Sequence, residues 1–163
     1  MKIIQYLTDK LIKFAMRTPY VHIGGYMERY WLIPYSRFLP SARIHHILRS
    51  DSDGAFHDHP WPYLTIILRG GYYEVKPTYD KSGLYLGDSR KWYGPGSILF
   101  RRADSYHRLE IAEGKTAWTL FMTGRYQRKW GFMPNPAIKI AHTDYLNEPE
   151  SPFLIDSSEN KGV

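Results

Sequence analysis

The sequence predicts a mainly β domain, a sandwich or a jelly-roll barrel, with one helix at its N-terminus. Three observations lead there. Eight short strand-like runs follow one another between residues 30 and 123, each bounded by turn-forming residues. No strand–helix–strand unit, which needs ~30 residues, appears after residue 28, and this argues against an α/β fold. The composition agrees: of 163 residues, 14 are Tyr, 13 Gly and 11 Pro. Such a balance suits pleated, half-buried surfaces joined by tight turns.

The elements follow in order. Residues 2–16 place Ile3, Ile4, Leu7, Leu11, Phe14 and Ala15 at helical spacing, with Asp9, Lys10 and Lys13 elsewhere. This is an amphipathic helix that ends before Pro19. It is expected to pack on the domain or on a partner subunit, with a membrane surface as the less favoured alternative. Gly24-Gly25 marks a loop. Strands are expected at residues 30–35, 42–49, 63–69, 72–76, 83–93, 97–102, 107–111 and 116–123. Turns at Pro40, 51–54, Gly70-Gly71, 80–83, 94–96 and 113–115 separate them. Residues 124–146, with Trp130, Phe132, Met133 and Tyr145, read as a segment closing the barrel's edge or mouth. Residues 147–163, with Pro149, Pro152 and a polar run at 156–162, read as a flexible or partner-draped tail. The division is a helix and loop (1–27), one barrel domain (28–146) and the tail (147–163), which fits the length of the chain.

Cysteine is absent, which excludes disulfides, thiolate metal sites and cysteine nucleophiles and suits a reducing compartment. Polar residues interrupt residues 1–16, so no secretion signal is read there. No apolar run approaches the ~20 residues that cross a bilayer. The expectation is a soluble, cytoplasmic protein with no membrane partner. The net charge of +6 comes without a Lys/Arg tract or helix-turn-helix spacing, so no nucleic-acid partner is expected. No Gly-rich phosphate loop or Ser/His/Asp arrangement points to nucleotide hydrolysis or triad chemistry.

The chemistry is concentrated in two blocks. In the first, Phe56-His57-Asp58-His59-Pro60-Trp61-Pro62-Tyr63, two histidines stand two residues apart. In an extended segment their side chains share one face, so both imidazoles can converge on one point. The second block runs from Gly94-Pro95-Gly96 to His107. Three neutral imidazoles suit iron, zinc, copper, nickel or manganese, and they leave coordination positions open. A ligating histidine donates its other N–H to a carboxylate or carbonyl. Asp58, Asp104, Glu74 and Glu110 are the candidates for that role.

With these residues the chain resembles the cupin superfamily. His57, His59, Tyr63 and Gly70 fall at the spacings of the first cupin motif, and Gly96 and His107 at those of the second. The resemblance covers roughly residues 40–125. It implies a double-stranded β-helix with a divalent metal inside, held by His57, His59 and His107. Tyr63 stands where the family usually has a glutamate ligand. Arg102, Asp104 and Ile111 stand where it usually has Pro, Gly and Asn. The remaining three-histidine set is similar to that of the thiol dioxygenase branch, which implies iron(II), with zinc, manganese or nickel as alternatives. The wider blocks look more like those of small single-domain cupins of bacteria and phages. Cupin sheets commonly pair across subunits, so the resemblance also implies a homodimer.

Other residues are weighed beside this set. Tyr63 reads as a hydrogen-bond donor or acid near the metal, or equally as a buried aromatic with a satisfied hydroxyl. Alternation turns only one of Arg101 and Arg102 inward. Arg102, in phase with Phe100 and with the family's motif position, is expected to face the cavity and hold the substrate. Arg69 and Arg108 suit a solvated face. At most one of His45 and His46 points inward. Trp61 and Tyr106 adjoin the proposed ligands and are the best candidates for contact with a small-molecule substrate. The expected function is a metal-dependent enzyme of the iron(II) dioxygenase type. The alternatives are a non-redox isomerase, epimerase or lyase on a sugar-like substrate, or a non-catalytic small-ligand-binding cupin.

Overall fold

A computed structural model describes residues 2–34, 40–51 and 54–146. Helix α1 (Lys2–Ala15) is followed by twelve strands. They are β1 (Pro19–Ile23), β2 (Met27–Ile33), β3 (Ser41–Ile47), β4 (Phe56–His57), β5 (Tyr63–Gly70), β6 (Tyr72–Tyr79), β7 (Tyr85–Tyr93), β8 (Ile98–Arg101), β9 (Arg108–Glu110), β10 (Ala117–Thr123), β11 (Gly131–Asn135) and β12 (Ile138–Ala141). A short helix, α2 (His142–Leu146), ends the described chain. The proposed tail, 147–163, lies outside the described residues.

All strand pairs are antiparallel. One six-stranded sheet has the order β1-β2-β3-β10-β5-β8, and two three-stranded sheets have the orders β12-β11-β4 and β7-β6-β9. Together they roll into a jelly-roll barrel, as the strand-rich sequence predicts. The six-stranded sheet begins at Pro19, inside the segment read from sequence as helix and loop. The closing role expected of residues 124–146 falls to β11, which pairs with β4 through Phe132 and His57.

Each face of the large sheet carries a packed cluster. On the outer face Ile12 and Ala15 of α1 pack on Tyr30, Ile44 and Trp118. The inner face carries Ile47 and Ile67, packed with Tyr26, Tyr72, Leu99 and Leu109. Helix α1 is amphipathic as read, but Ile3, Ile4, Leu7 and Phe14 remain exposed. Among the described residues, no helix is long and apolar enough to cross a membrane.

Close approach requires glycine at Gly70 and at Gly131. Gly70 ends β5 with φ of 70°, and a Cβ there would meet the Thr116 carbonyl oxygen at 1.9 Å. Only glycine adopts that conformation with so little room. At Gly131 a Cβ would meet the Ile140 oxygen at 2.2 Å. That approach lets the Gly131 backbone serve the histidine segment on its other side, as described next.

Candidate metal centre

The His57–His59 segment is fixed from both sides by backbone hydrogen bonds. His57 N–H donates to the His107 carbonyl at 2.8 Å, and His107 N–H returns a bond to His57 at 3.0 Å. His59 N–H donates to the Ala103 carbonyl at 3.1 Å. Asp58 N–H donates to the Gly131 carbonyl at 3.1 Å, while Gly131 N–H donates to Asp58 Oδ1 at 2.8 Å. The extended backbone turns His57 and His59 to one side and Asp58 to the other. Asp58 is fully buried there, where it also receives Arg128 and Lys139. It therefore holds the backbone that carries the two histidines and does not touch their rings.

The three imidazoles converge. One nitrogen of each lies within 4.8 Å of the others. The ring centroids of His57 and His107 are 4.7 Å apart, and those of His57 and His59 are 5.2 Å apart. His59 Nε2 lies 3.1 Å from His107 Nε2, and Tyr63 Oη lies 3.2 Å from the same atom. A cavity of about 300 Å³ opens over this group, walled largely by aromatic and aliphatic side chains. That volume is at the small end of ligand sites.

Behind His107 stands a buried carboxylate. His107 Nδ1 is 3.2 Å from Glu74 Oε1, and Arg101 clamps both Glu74 oxygens, with Nε donating at 2.8 Å. Burial alone would raise the Glu74 carboxyl, but hydrogen bonds from Arg101 and His107 outweigh it and bring it down to about 2. Ionised Glu74 accepts only, so Nδ1 of His107 carries the proton. In the neutral ring the lone pair then sits on Nε2, facing His59 and Tyr63. Arg101 is raised in turn, first by its hydrogen bond to Glu74. Asp51, which the sequence did not single out, stands near His57, with 3.9 Å between its Oδ2 and Nδ1.

Burial also disfavours the charged form of His57 and His59. It pulls His57 down to about 4, with the neighbouring His107 acting in the same direction, and it pulls His59 well below the usual imidazole range. Burial, with Glu74 nearby, pushes the Tyr63 phenol well above its usual value, so it stays a donor. These features fit a bound transition metal. His107 Nε2 is approached by His59 Nε2 and Tyr63 Oη at once, and one nitrogen of each imidazole faces the same point. Glu74 supplies the outer hydrogen bond that a ligating histidine uses.

The structure corrects the arginine assignment. Strand β8 pairs with β5 so that Arg101 lies opposite Tyr63 and Phe100 opposite Leu64. Arg101 therefore points inward, while the Arg102 side chain is 80% exposed and pairs with Asp104 on the surface. Arg102 does not face the cavity. Phase with Phe100 misleads because Phe100 itself is 65% exposed. Arg69 pairs with Asp9 of α1, and Arg108 with Asp88 and Glu110. Of the four candidate carboxylates, Glu74 reaches a site histidine. Trp61 lines the cavity, whereas Tyr106 packs beside Phe56, Val75 and Met133 behind it. His45 faces inward; His46 faces outward, stacked on Trp118 and bonded to Glu28.

No protein-family model and no curated protein matches the chain. Among solved structures, the chain is similar in fold to the hydroxypropylphosphonic acid epoxidase from S. wedmorenis, with a TM-score of 0.53 and 14% identity over 68% of this chain and 56% of that one. The same epoxidase in complex with fosfomycin gives a TM-score of 0.50 and 14% identity over 65% and 55% of the two chains. A cupin-like protein from Thermotoga maritima gives 0.45 and 12% identity, over 61% and 68%. The chain spans little more than half the epoxidase's length, and at this identity the likeness is one of fold. Strand order, barrel closure and the likeness to the epoxidase agree: the chain has a jelly-roll, double-stranded β-helix fold.

Proposed function

We propose that the chain is a metal-binding cupin that works on a small molecule held in its cavity. His57, His59 and His107 are the ligands, for iron(II) in the first place and zinc, manganese or nickel otherwise. The observation that carries this reading is the convergence of three imidazole nitrogens within 4.8 Å of one another. An all-nitrogen neutral set favours such metals over magnesium or calcium. Bound iron(II) would supply Lewis acidity and the redox capacity for a dioxygenase-type oxidation.

The chain's own residues have separable tasks. Glu74 keeps the proton on Nδ1 of His107 and so leaves Nε2 as a donor of electrons. Tyr63 offers a phenolic O–H at the same face, where a carboxylate would offer only lone pairs. Trp61, Phe121 and Phe132 wall the cavity with ring surface, which excludes water and strengthens every polar contact inside.

Elemental analysis of the purified full-length chain tests the reading. About one transition metal per chain is expected, lost in His57→Ala. Equal metal content in the two proteins, or none in either after anaerobic incubation with iron(II), would overturn it. Substrate-dependent oxygen uptake separates the oxidative reaction from a non-redox one.

A further inference from the structure

The cavity has a second polar end, and it is cationic. Strand β3 turns Arg43 and His45 inward, and β2 brings Arg29 beside them. Arg43 is 6% exposed and His45 8% exposed. Arg43 Nε and His45 Nε2 are both buried with no hydrogen-bond partner. Among the described residues, neither Arg29 nor Arg43 has a carboxylate within ion-pair distance. Arg29 Nε donates to the Val21 carbonyl, and Arg43 Nη2 reaches Ser41 Oγ at 3.4 Å. Asp51 is the one carboxylate among the described residues lining the cavity, and it is engaged elsewhere, accepting Leu109 N–H and facing His57.

A buried guanidinium without an anion is costly. Ring faces offset part of that cost: the Arg43 guanidinium lies 4.9 Å from the Trp31 ring, 5.6 Å from Trp61 and 5.7 Å from Phe121. Ring faces offer the Nε–H no lone pair. Burial and the neighbouring Arg29 pull Arg43 down to about 10, so it stays charged at neutral pH. An arginine edge with a free Nε–H matches a planar or tetrahedral oxyanion, and a histidine N–H can add a third bond.

Phe121 joins this end to the histidines. Its ring stacks on His45 at 4.8 Å and lies 5.9 Å from His59 and 5.0 Å from Tyr63. A ligand held by its acidic group at Arg43 would lie across Phe121 with its other end at His59. We propose that Arg43 and His45, with Arg29 behind them, form an oxyanion subsite, and that the substrate is a small organic acid. This rests on the metal-site reading only in taking the same cavity as the substrate site.

Calorimetric titration of the metal-loaded full chain with benzoate, phenylphosphonate and neutral benzamide tests it. These probes share one apolar body and differ in charge. At least one acid is expected to bind about tenfold tighter than benzamide, and which acid wins separates a carboxylate from a phosphonate substrate. Arg43→Met should erase the preference, keep the metal content of the parent, and leave the melting temperature unchanged or higher. Equal binding of acid and amide, no binding of either acid, or a preference that survives Arg43→Met would overturn the proposal. A melting temperature lowered by Arg43→Met in anion-free buffer would make Arg43 a structural support and also overturn it. Metal content in His57→Ala reports on the metal site separately.

Discussion

Asp58 and Arg43 are both buried charges next to side chains that line the cavity, and they are partnered in opposite ways. Asp58 has no exposed surface, and its carboxylate receives Gly131 N–H, Arg128 and Lys139. Arg43 is nearly as buried and meets no carboxylate among the described residues. A charge closed on itself holds structure in place. A charge left open inside a cavity is either a loss of stability or a place for a ligand. Glu74 belongs with Asp58: it is buried, yet Arg101, His107 and Lys76 surround it. Asp58 and Glu74 at the histidine end are thus satisfied carboxylates, and Arg43 at the other end is a buried cation that meets none.

The sharpest way to break the comparison is to open the closed charge. Asp58→Ala removes the anion and leaves Arg128, Lys139 and the Gly131 N–H facing a void. Both basic partners are about one-third exposed, so water recovers part of the loss. A destabilisation of about 3 kcal/mol is expected from the denaturant midpoint. Metal content should fall with it, since Asp58 spaces the two motif histidines. A change below about 1 kcal/mol would mean that Asp58 is no more a structural anchor than a surface charge.

Much of this arrangement was legible in the sequence, and the failures share a cause. His57, His59 and His107 stand out by residue type and spacing, which survive any error in strand boundaries. The N-terminal helix was legible from its 3.6-residue period, and most strands from their flanking turns. Strand β4 is two residues long and β12 four, too short for an alternation to declare itself. Arg102 is misread because apolar side chains also stand on the outer face of the large sheet. On β8 the apolar Phe100 faces out and the charged Arg101 faces in. On β3 the apolar Ile44 packs under α1, and polar Arg43 and His45 line the cavity. Alternation shows that two faces differ but not which is inside, and polar-out fails where the interior is a binding cavity. Asp51 near His57 was missed for a different reason: its contact is set by the loop before β4, not by any local pattern.

A second intervention weakens the closed end without emptying it. Glu74→Gln keeps the volume but replaces the anion that Arg101 and His107 share. A loss of about 2 kcal/mol is expected, with metal affinity down about tenfold through the slackened His107. The acid dependence of the metal-free chain should change too. Glu74 is ordinarily near 4.5 when unfolded and about 2 when folded. Its contribution is therefore present above about pH 4.5 and lost as pH falls toward 2. His57 runs from about 6.5 unfolded to about 4 folded. The unfolded chain binds more protons between those values, so stability is lost as pH falls through that window as well. Two stages of acid loss are expected in urea midpoints, and Glu74→Gln should remove the lower one alone. Loss of both stages together would show that the histidines and Glu74 titrate as one unit.

The smallest effect is expected at the hydroxyl between the two kinds of charge. Tyr63 is buried on β5 opposite Arg101, yet its phenol contacts His107 Nε2 rather than Glu74. In Tyr63→Phe the ring keeps its packing against Phe121, and the lost O–H leaves His107 Nε2 with His59 as a neighbour. Stability should change by less than about 1 kcal/mol, and metal content should stay at the parent level. If Tyr63 is part of the ligand set, metal is lost with the hydroxyl, and the site has four protein donors. If metal is retained while turnover of an acidic substrate falls, the phenol serves the substrate, and the three imidazoles suffice for the cation.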